Sequence, residues 1–183
     1  MDDDRNIVLI GMPGVGKSTV GVLLAKATRR GFLDTDVWIQ SREGRTLQEI
    51  LDADGLQAFV AIEAAHILSL DVRGHVIATG GSAVYRDEAM RHLKGGGPVV
   101  YLRLPLDELD RRITNMATRG VVLAPGETLA ALFERRRPLY QRWADVTIDC
   151  GGRTQDEIAA EIADRLRARG KSAGAAERGG GPA

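Results

Sequence analysis

Asn6-Ile7-Val8-Leu9-Ile10-Gly11-Met12-Pro13-Gly14-Val15-Gly16-Lys17-Ser18-Thr19 decides how the rest of the chain reads. Ile7 to Ile10 is a short apolar run suited to a buried strand. From Ser18 to Thr28 the apolar residues Val20, Leu23, Leu24 and Ala27 recur at helical spacing. Between the two, Gly11 to Ser18 matches G-x-x-x-x-G-K-[ST] without a mismatch. A strand, a glycine-rich turn and a helix are the context in which that pattern has a mechanism. The glycines let successive backbone N–H groups point inward around phosphates, and the helix N-terminus adds partial positive charge. Gly11, Gly14, Val15, Gly16, Lys17, Ser18 and Thr19 therefore form the expected nucleotide cradle. Lys17 is expected to reach the β- and γ-phosphates, and Ser18 to place its hydroxyl on Mg²⁺. Asp52-Ala53-Asp54-Gly55 formally fits the D-x-x-G of GTPases. It falls between expected helices rather than after a strand, and no N-K-x-D stretch exists to read guanine.

Working outward, short apolar runs alternate with amphipathic stretches. Phe32-Leu33 (ending at Asp34), Val76 to Ala78, Val99 to Leu104 and Val146 to Ile148 read as further strands. Helices are expected over Thr46 to Leu51, Leu56 to Leu70, Pro105 to about Met116, Thr128 to Trp143 (kinked or split at Pro138) and Thr154 to Ala168. Strands alternating with helices predict an α/β fold with a parallel sheet covered on both faces. From Gly170 to Ala183 the chain is rich in Gly, Ala and Lys/Arg without apolar period, and reads as a disordered tail.

The whole-chain numbers exclude several classes. At 183 residues there is room for one domain and a tail. Lys plus Arg is 25 and Asp plus Glu is 25, so global charge offers no reason to bind nucleic acid or an anionic membrane. The single cysteine, Cys150, rules out an internal disulfide framework and a Cys-rich zinc site. The acidic start, Met1-Asp2-Asp3-Asp4-Arg5, is unlike a signal peptide, and no apolar run has the length of a membrane span. A cytoplasmic, monomeric protein acting on a small molecule is expected.

Several further stretches, in order, resemble the shikimate kinases. Leu33-Asp34-Thr35-Asp36 resembles their D-[ST]-D, and Phe59-Val60-Ala61-Ile62-Glu63 lies where they carry F-R-x-x-E. Ala78-Thr79-Gly80-Gly81-Ser82-Ala83-Val84 resembles their G-G-G loop. Arg136-Arg137-Pro138-Leu139-Tyr140 resembles R-x-P-L-Y, and Ala144 to Asp149 resembles the closing A-D-x-x-[IV]-[DE]. The resemblance spans about Asn6 to Ala168. It implies a three-layer P-loop kinase sandwich over residues 1–169, a five-stranded parallel sheet in the order 2-3-1-4-5, helices on both faces, and a lid at about 117–127. It also implies a magnesium-ATP donor and a small hydroxyl acceptor. By the same resemblance Asp34 holds Mg²⁺ through water, and Asp36 binds the acceptor hydroxyls. Gly80 and Gly81 bring backbone close to the acceptor, Arg112 packs on adenine, Arg119 closes over the phosphates, and Arg136 pairs with the acceptor carboxylate. Read without the resemblance, Asp34 and Asp36 equally suit caps of the following helix, and Arg111-Arg112 and Arg136-Arg137 suit solvated basic faces.

The departures cluster on the acceptor side. Val60 stands where the family has an arginine that grips the acceptor carboxylate, Ser82 replaces the third glycine, and the lid's R-P-L-L is Arg119-Gly120-Val121-Val122. One charge-assisted hydrogen bond lost at a partly buried site costs roughly 1.5–3 kcal/mol. Glu63 would then lack its arginine partner, so Val60, Glu63 and Ser82 together favour an acceptor with less negative charge or with an ammonium group. Homoserine is the concrete candidate, its carboxylate on Arg136 and its ammonium on Asp36 or Glu63. Shikimate itself remains the alternative if Arg42, Arg45 or Arg86 supplies a replacement guanidinium. A nucleotide-binding regulator without chemistry is the third reading, opposed by the intact Lys17, Ser18, Asp34 and Asp36.

Overall fold

All four residues of Ile7–Ile10 are buried, which a sheet achieves only when both of its faces are covered. The computed structural model describes residues 4–114 and 126–178. Within them the strands are β1 (Ile7–Ile10), β2 (Gly31–Asp34), β3 (His75–Ala78), β4 (Val99–Arg103) and β5 (Val146–Asp149). They form one five-stranded sheet in the order β2-β3-β1-β4-β5, and every neighbouring pair is parallel. The helices are α1 (Lys17–Thr28), α2 (Thr35–Glu43), α3 (Leu47–Leu68), α4 (Asp87–Gly96), α5 (Leu106–Thr114), α6 (Leu129–Trp143) and α7 (Gln155–Arg178). A 3₁₀ turn, Ala83–Tyr85, precedes α4.

The chain leaves β1 through α1 toward one edge of the sheet and leaves β3 through α4 toward the other. The strand order therefore reverses at β1, and a crevice opens beyond its C-terminal end, where such sheets bind ligands. The main core is the apolar sheet with the inner faces of its helices, among them Leu24, Ile67, Met90, Leu109 and Ile162. A second, smaller cluster of Ile39, Ile50, Phe59 and Val60 is buried where α2 packs on α3, with Tyr85 against it.

The helices match the sequence reading in places and depart from it in others, each for a physical reason. The two helices expected around residues 46–70 are present and run together as α3, separated at Gly55, whose φ of 79° and ψ of 169° are non-helical. Its start carries a capping box: Glu49 N donates to Thr46 Oγ1 at 3.2 Å, and Thr46 N donates to Glu49 Oε2 at 2.7 Å. Pro138 does not split α6, because Phe133 and Arg136 before it and Tyr140 and Trp143 after it are all buried against the body of the protein. Finally, α7 stays helical to Arg178, past the expected end at Ala168 and into the segment read as a tail. Alanine, lysine and arginine are strong helix formers, and extending an existing helix avoids the cost of nucleation. Helix α4 lies where the sequence reading places none; its apolar face is only Ala89, Met90 and Leu93. Arg119 and most of the lid at about 117–127 lie outside the described residues.

Candidate active site

The crevice beyond β1 is a cleft of about 600 Å³. One end is built by the turn between β1 and α1. Gly16 is the N-cap of α1 with φ 105°, a conformation that only glycine adopts without strain. Gly11 sits beneath the turn, where a Cβ would lie 2.6 Å from the Leu102 carbonyl oxygen. Lys17 Nζ folds back over the loop and donates to the carbonyls of Gly11 at 2.8 Å and Met12 at 3.0 Å. Burial pushes the Lys17 ammonium down to about 8, with Asp36 pulling it the other way. Gly14, Gly16, Ser18 and Thr19 face the same space. Val15 is buried and contributes its backbone: its carbonyl accepts from Arg112 Nη1 at 3.3 Å. That bond brings Arg112, from α5, across the phosphate loop and into the cleft wall.

The other end is made of side chains from four separate segments. At the β2–α2 junction Asp34 is a helix N-cap, its Oδ1 accepting from the backbone N–H of Asp36 at 2.9 Å and of Val37 at 3.4 Å. Capping and metal binding are thus both open to this carboxylate, one oxygen for each; Asp34 does not itself line the cleft. Asp36 does, from the first turn of α2. Burial, helped by the charge of Asp34, pushes its carboxyl up to about 6.

Opposite, Glu63 from α3 is only 1% exposed. Ser82 Oγ donates to its Oε2 at 2.6 Å, while Oε1 is buried with no hydrogen-bond partner. Burial pushes Glu63 up to about 7, against the lowering effect of the Ser82 bond. The two carboxylates converge on Gly80, where a Cβ would collide with Glu63 Oε1 and come within 2.7 Å of Asp36 Oδ1. At Gly81 a Cβ would meet Arg136 Nη1 at 2.7 Å and Pro13 at 3.1 Å, so this residue lies between the phosphate loop and Arg136. Arg136 is 1% exposed, lines the cleft from α6 and donates through Nε to the Tyr85 hydroxyl at 2.9 Å.

The cleft therefore brings together Lys17, Ser18, Asp36, Glu63, Gly80, Gly81, Ser82, Arg112 and Arg136. Val60 is not on it. It packs behind, with Ile39, Ile50 and Phe59, so its expected place in the acceptor wall becomes a place in the apolar support of that wall. None of the possible replacement arginines reaches the cleft either. Arg42 lies over the Trp38 ring at 4.3 Å, Arg45 pairs with Asp54 at 2.9 Å, and Arg86 is absent from the lining. Sequence reasoning passed over Thr35, whose Oγ1 accepts from Gly80 N at 2.9 Å and ties α2 to the glycine loop. It also passed over Thr79, which lines the cleft and donates to the Leu9 carbonyl at 3.0 Å. Both lie inside quoted motifs, and Tyr85 directly follows one, so proximity to a motif is the signal that marks them. Leu47 and Gln155 carry no such signal.

A backbone cradle with a buried ammonium at one end, and a carboxylate beside a buried guanidinium at the other, suit transfer of a phosphoryl group to a hydroxyl of a small molecule. The comparisons with known proteins agree. The family model "Shikimate kinase" matches residues 13–167. The shikimate kinase of Pseudomonas entomophila is 39% identical over 166 residues, covering 89% of this chain and 96% of that protein. The solved shikimate kinase from Acinetobacter baumannii in complex with shikimate superposes with a TM-score of 0.83 at 31% identity, covering 92% of this chain and 96% of the other. That of Aquifex aeolicus gives 0.76 at 30% identity, covering 90% and 98%. On the family model and these relatives, this chain belongs to the shikimate kinase family.

Proposed function

We propose that the chain transfers the γ-phosphoryl group of ATP to a hydroxyl of shikimate. The carrying observation is Arg136: a guanidinium in the cleft wall, 1% exposed, with no ion-pair partner among the described residues. A buried cation of this kind calls for an anion on the ligand. The names of the relatives and the shikimate bound in the Acinetobacter baumannii structure support the same acceptor.

In this reading Arg136 receives the acceptor carboxylate and thereby sets which hydroxyl lies beside Asp36. Asp36 accepts a hydrogen bond from that hydroxyl and takes its proton. The hydroxyl oxygen bonds to the γ-phosphorus as the bond to the β,γ-bridging oxygen breaks, and ADP leaves. Lys17, now parked on its own loop, turns to the β- and γ-phosphates, and the N-terminus of α1 stabilises the same charge. Ser18 and Asp34 present hard oxygen donors that fit magnesium, which supplies Lewis-acid neutralisation of phosphate charge when bound. Arg119 completes the charge over the phosphates, and Arg112 holds the adenine side.

A second reading rests on a different observation. Glu63 Oε1 is buried, unpartnered and directed at Gly80, and an ammonium group on the acceptor would satisfy it. Homoserine has that group, a carboxylate for Arg136 and a primary hydroxyl. Purified protein with Mg-ATP and a panel of shikimate, homoserine and gluconate separates the readings by kcat/KM. Saturable turnover of shikimate well above homoserine supports the first; the reverse order supports the second. ATP binding without transfer to any acceptor would leave a nucleotide-binding regulator.

A further inference from the structure

Arg136 is a long side chain at a buried site, and a lone guanidinium there has several rotamers to choose from. Its Nε is held by Tyr85, from the 3₁₀ turn directly after the glycine loop, while the Tyr140 hydroxyl hydrogen-bonds the same guanidinium from one turn along α6. The Tyr85 hydroxyl oxygen accepts twice, from Arg136 Nε at 2.9 Å and from Arg135 Nε at 3.0 Å. Both guanidinium groups also lie near the ring, with centroid distances of 5.0 Å for Arg136 and 5.5 Å for Arg135. The ring is fixed from two further sides. It packs on the cluster that contains Val60, and Arg135 is anchored to Glu127 at 2.8 Å.

We propose that Tyr85 is a positioning residue that gives this kinase its selectivity for a carboxylate-bearing acceptor, by clamping Arg136 through its inner nitrogen. With Nε held, the outer edge of the guanidinium, whose Nη1 lies against Gly81, stays directed at the cleft. That is the edge a carboxylate meets in two parallel hydrogen bonds. The clamp also accounts for how one arginine orients the acceptor where Val60 offers no second cation: it is pre-organised, so little rotamer freedom is lost on binding. Selection by Tyr85 deepens the shikimate reading and rests on it only for the kinetic half of its test.

Tyr85→Phe keeps the ring and both stacked cations and deletes only the oxygen. Loss of the bond to Arg136, along with that to Arg135, raises KM for shikimate about 5–10-fold. The kcat stays within twofold and KM for ATP does not move. Shikimate carboxamide, which offers Arg136 no charge, loses less than twofold in kcat/KM. A crystal structure of the variant shows the guanidinium turned away from Gly81. Equal losses for acid and amide, or an Arg136 still in place, overturn the proposal. Should Tyr85→Phe not fold, Arg135→Met tests the same clamp from its half-exposed outer side, with about a threefold rise in acceptor KM expected and an unchanged KM refuting it. If the wild-type chain turns over neither shikimate nor any other carboxylate acceptor, the shikimate reading fails, yet the position of Arg136 in the variant crystal still decides the role of Tyr85.

Discussion

At the nucleotide end of the cleft, charge is managed mostly by backbone from one stretch of chain: the turn at Gly11 to Gly16, the start of α1, and Lys17 resting on the carbonyls of Gly11 and Met12. At the acceptor end it is managed by side chains from distant stretches: Asp36 on α2, Glu63 on α3, Ser82 on the glycine loop and Arg136 on α6. The difference shows in how each end tolerates change. The backbone cradle keeps its pattern intact because a side chain at Gly11 or Gly16 would collide or strain the turn. The opposite wall is held by side-chain packing and pairing. With valine at position 60, that side chain joins an apolar cluster, and Glu63 takes a hydrogen bond from Ser82.

If the division is right, the deepest loss comes from the cradle. Lys17→Met removes the buried ammonium of the phosphate loop and lowers kcat by about 10³-fold with every acceptor, measured by coupled ADP release. Next, Arg136→Met lowers kcat/KM for shikimate by about 100-fold while leaving KM for ATP within twofold. Equal damage to both substrates would erase the separation of the two ends.

A pH profile probes the acidic side. Burial pushes the Asp36 carboxyl up to about 6, so kcat/KM is expected to fall as pH drops through that value and Asp36 takes up a proton. Stability runs the other way. Glu63 keeps its proton up to about 7 in the folded state but only to 4.5 in its ordinary state. The folded chain therefore binds more protons across that window, and Glu63 makes stability fall as pH rises through it. Glu63→Gln removes this slope and raises Tm at pH 8 by a few degrees, read by calorimetry at pH 5 and pH 8.

Smaller shifts follow at the substituted positions. Val60→Arg places a cation one helical turn from Glu63, lowering KM for shikimate about tenfold at some cost in stability, since the cluster around Ile39 is buried and apolar. An unchanged KM would mean that position 60 has no path to the pocket. Ser82→Gly deletes the bond to Glu63 and changes acceptor KM only about threefold.

What could be read without coordinates was whatever is local in sequence. The phosphate loop needs glycines, a lysine and a hydroxyl at set spacing, and strand–loop–helix periodicity flanks it; all of this lies within Asn6 to Thr28. The strand alternation carried the parallel sheet. The acceptor wall was legible as a set of residues but not as an arrangement. That Val60 lies behind the wall and that Tyr85 holds Arg136 from a separate segment depend on how α2, α3, the 3₁₀ turn and α6 converge. Residues tens of positions apart meet there only because burying the apolar faces of those elements against the sheet and one another leaves one way to pack them, and no spacing along the chain records which polar groups that packing brings within reach.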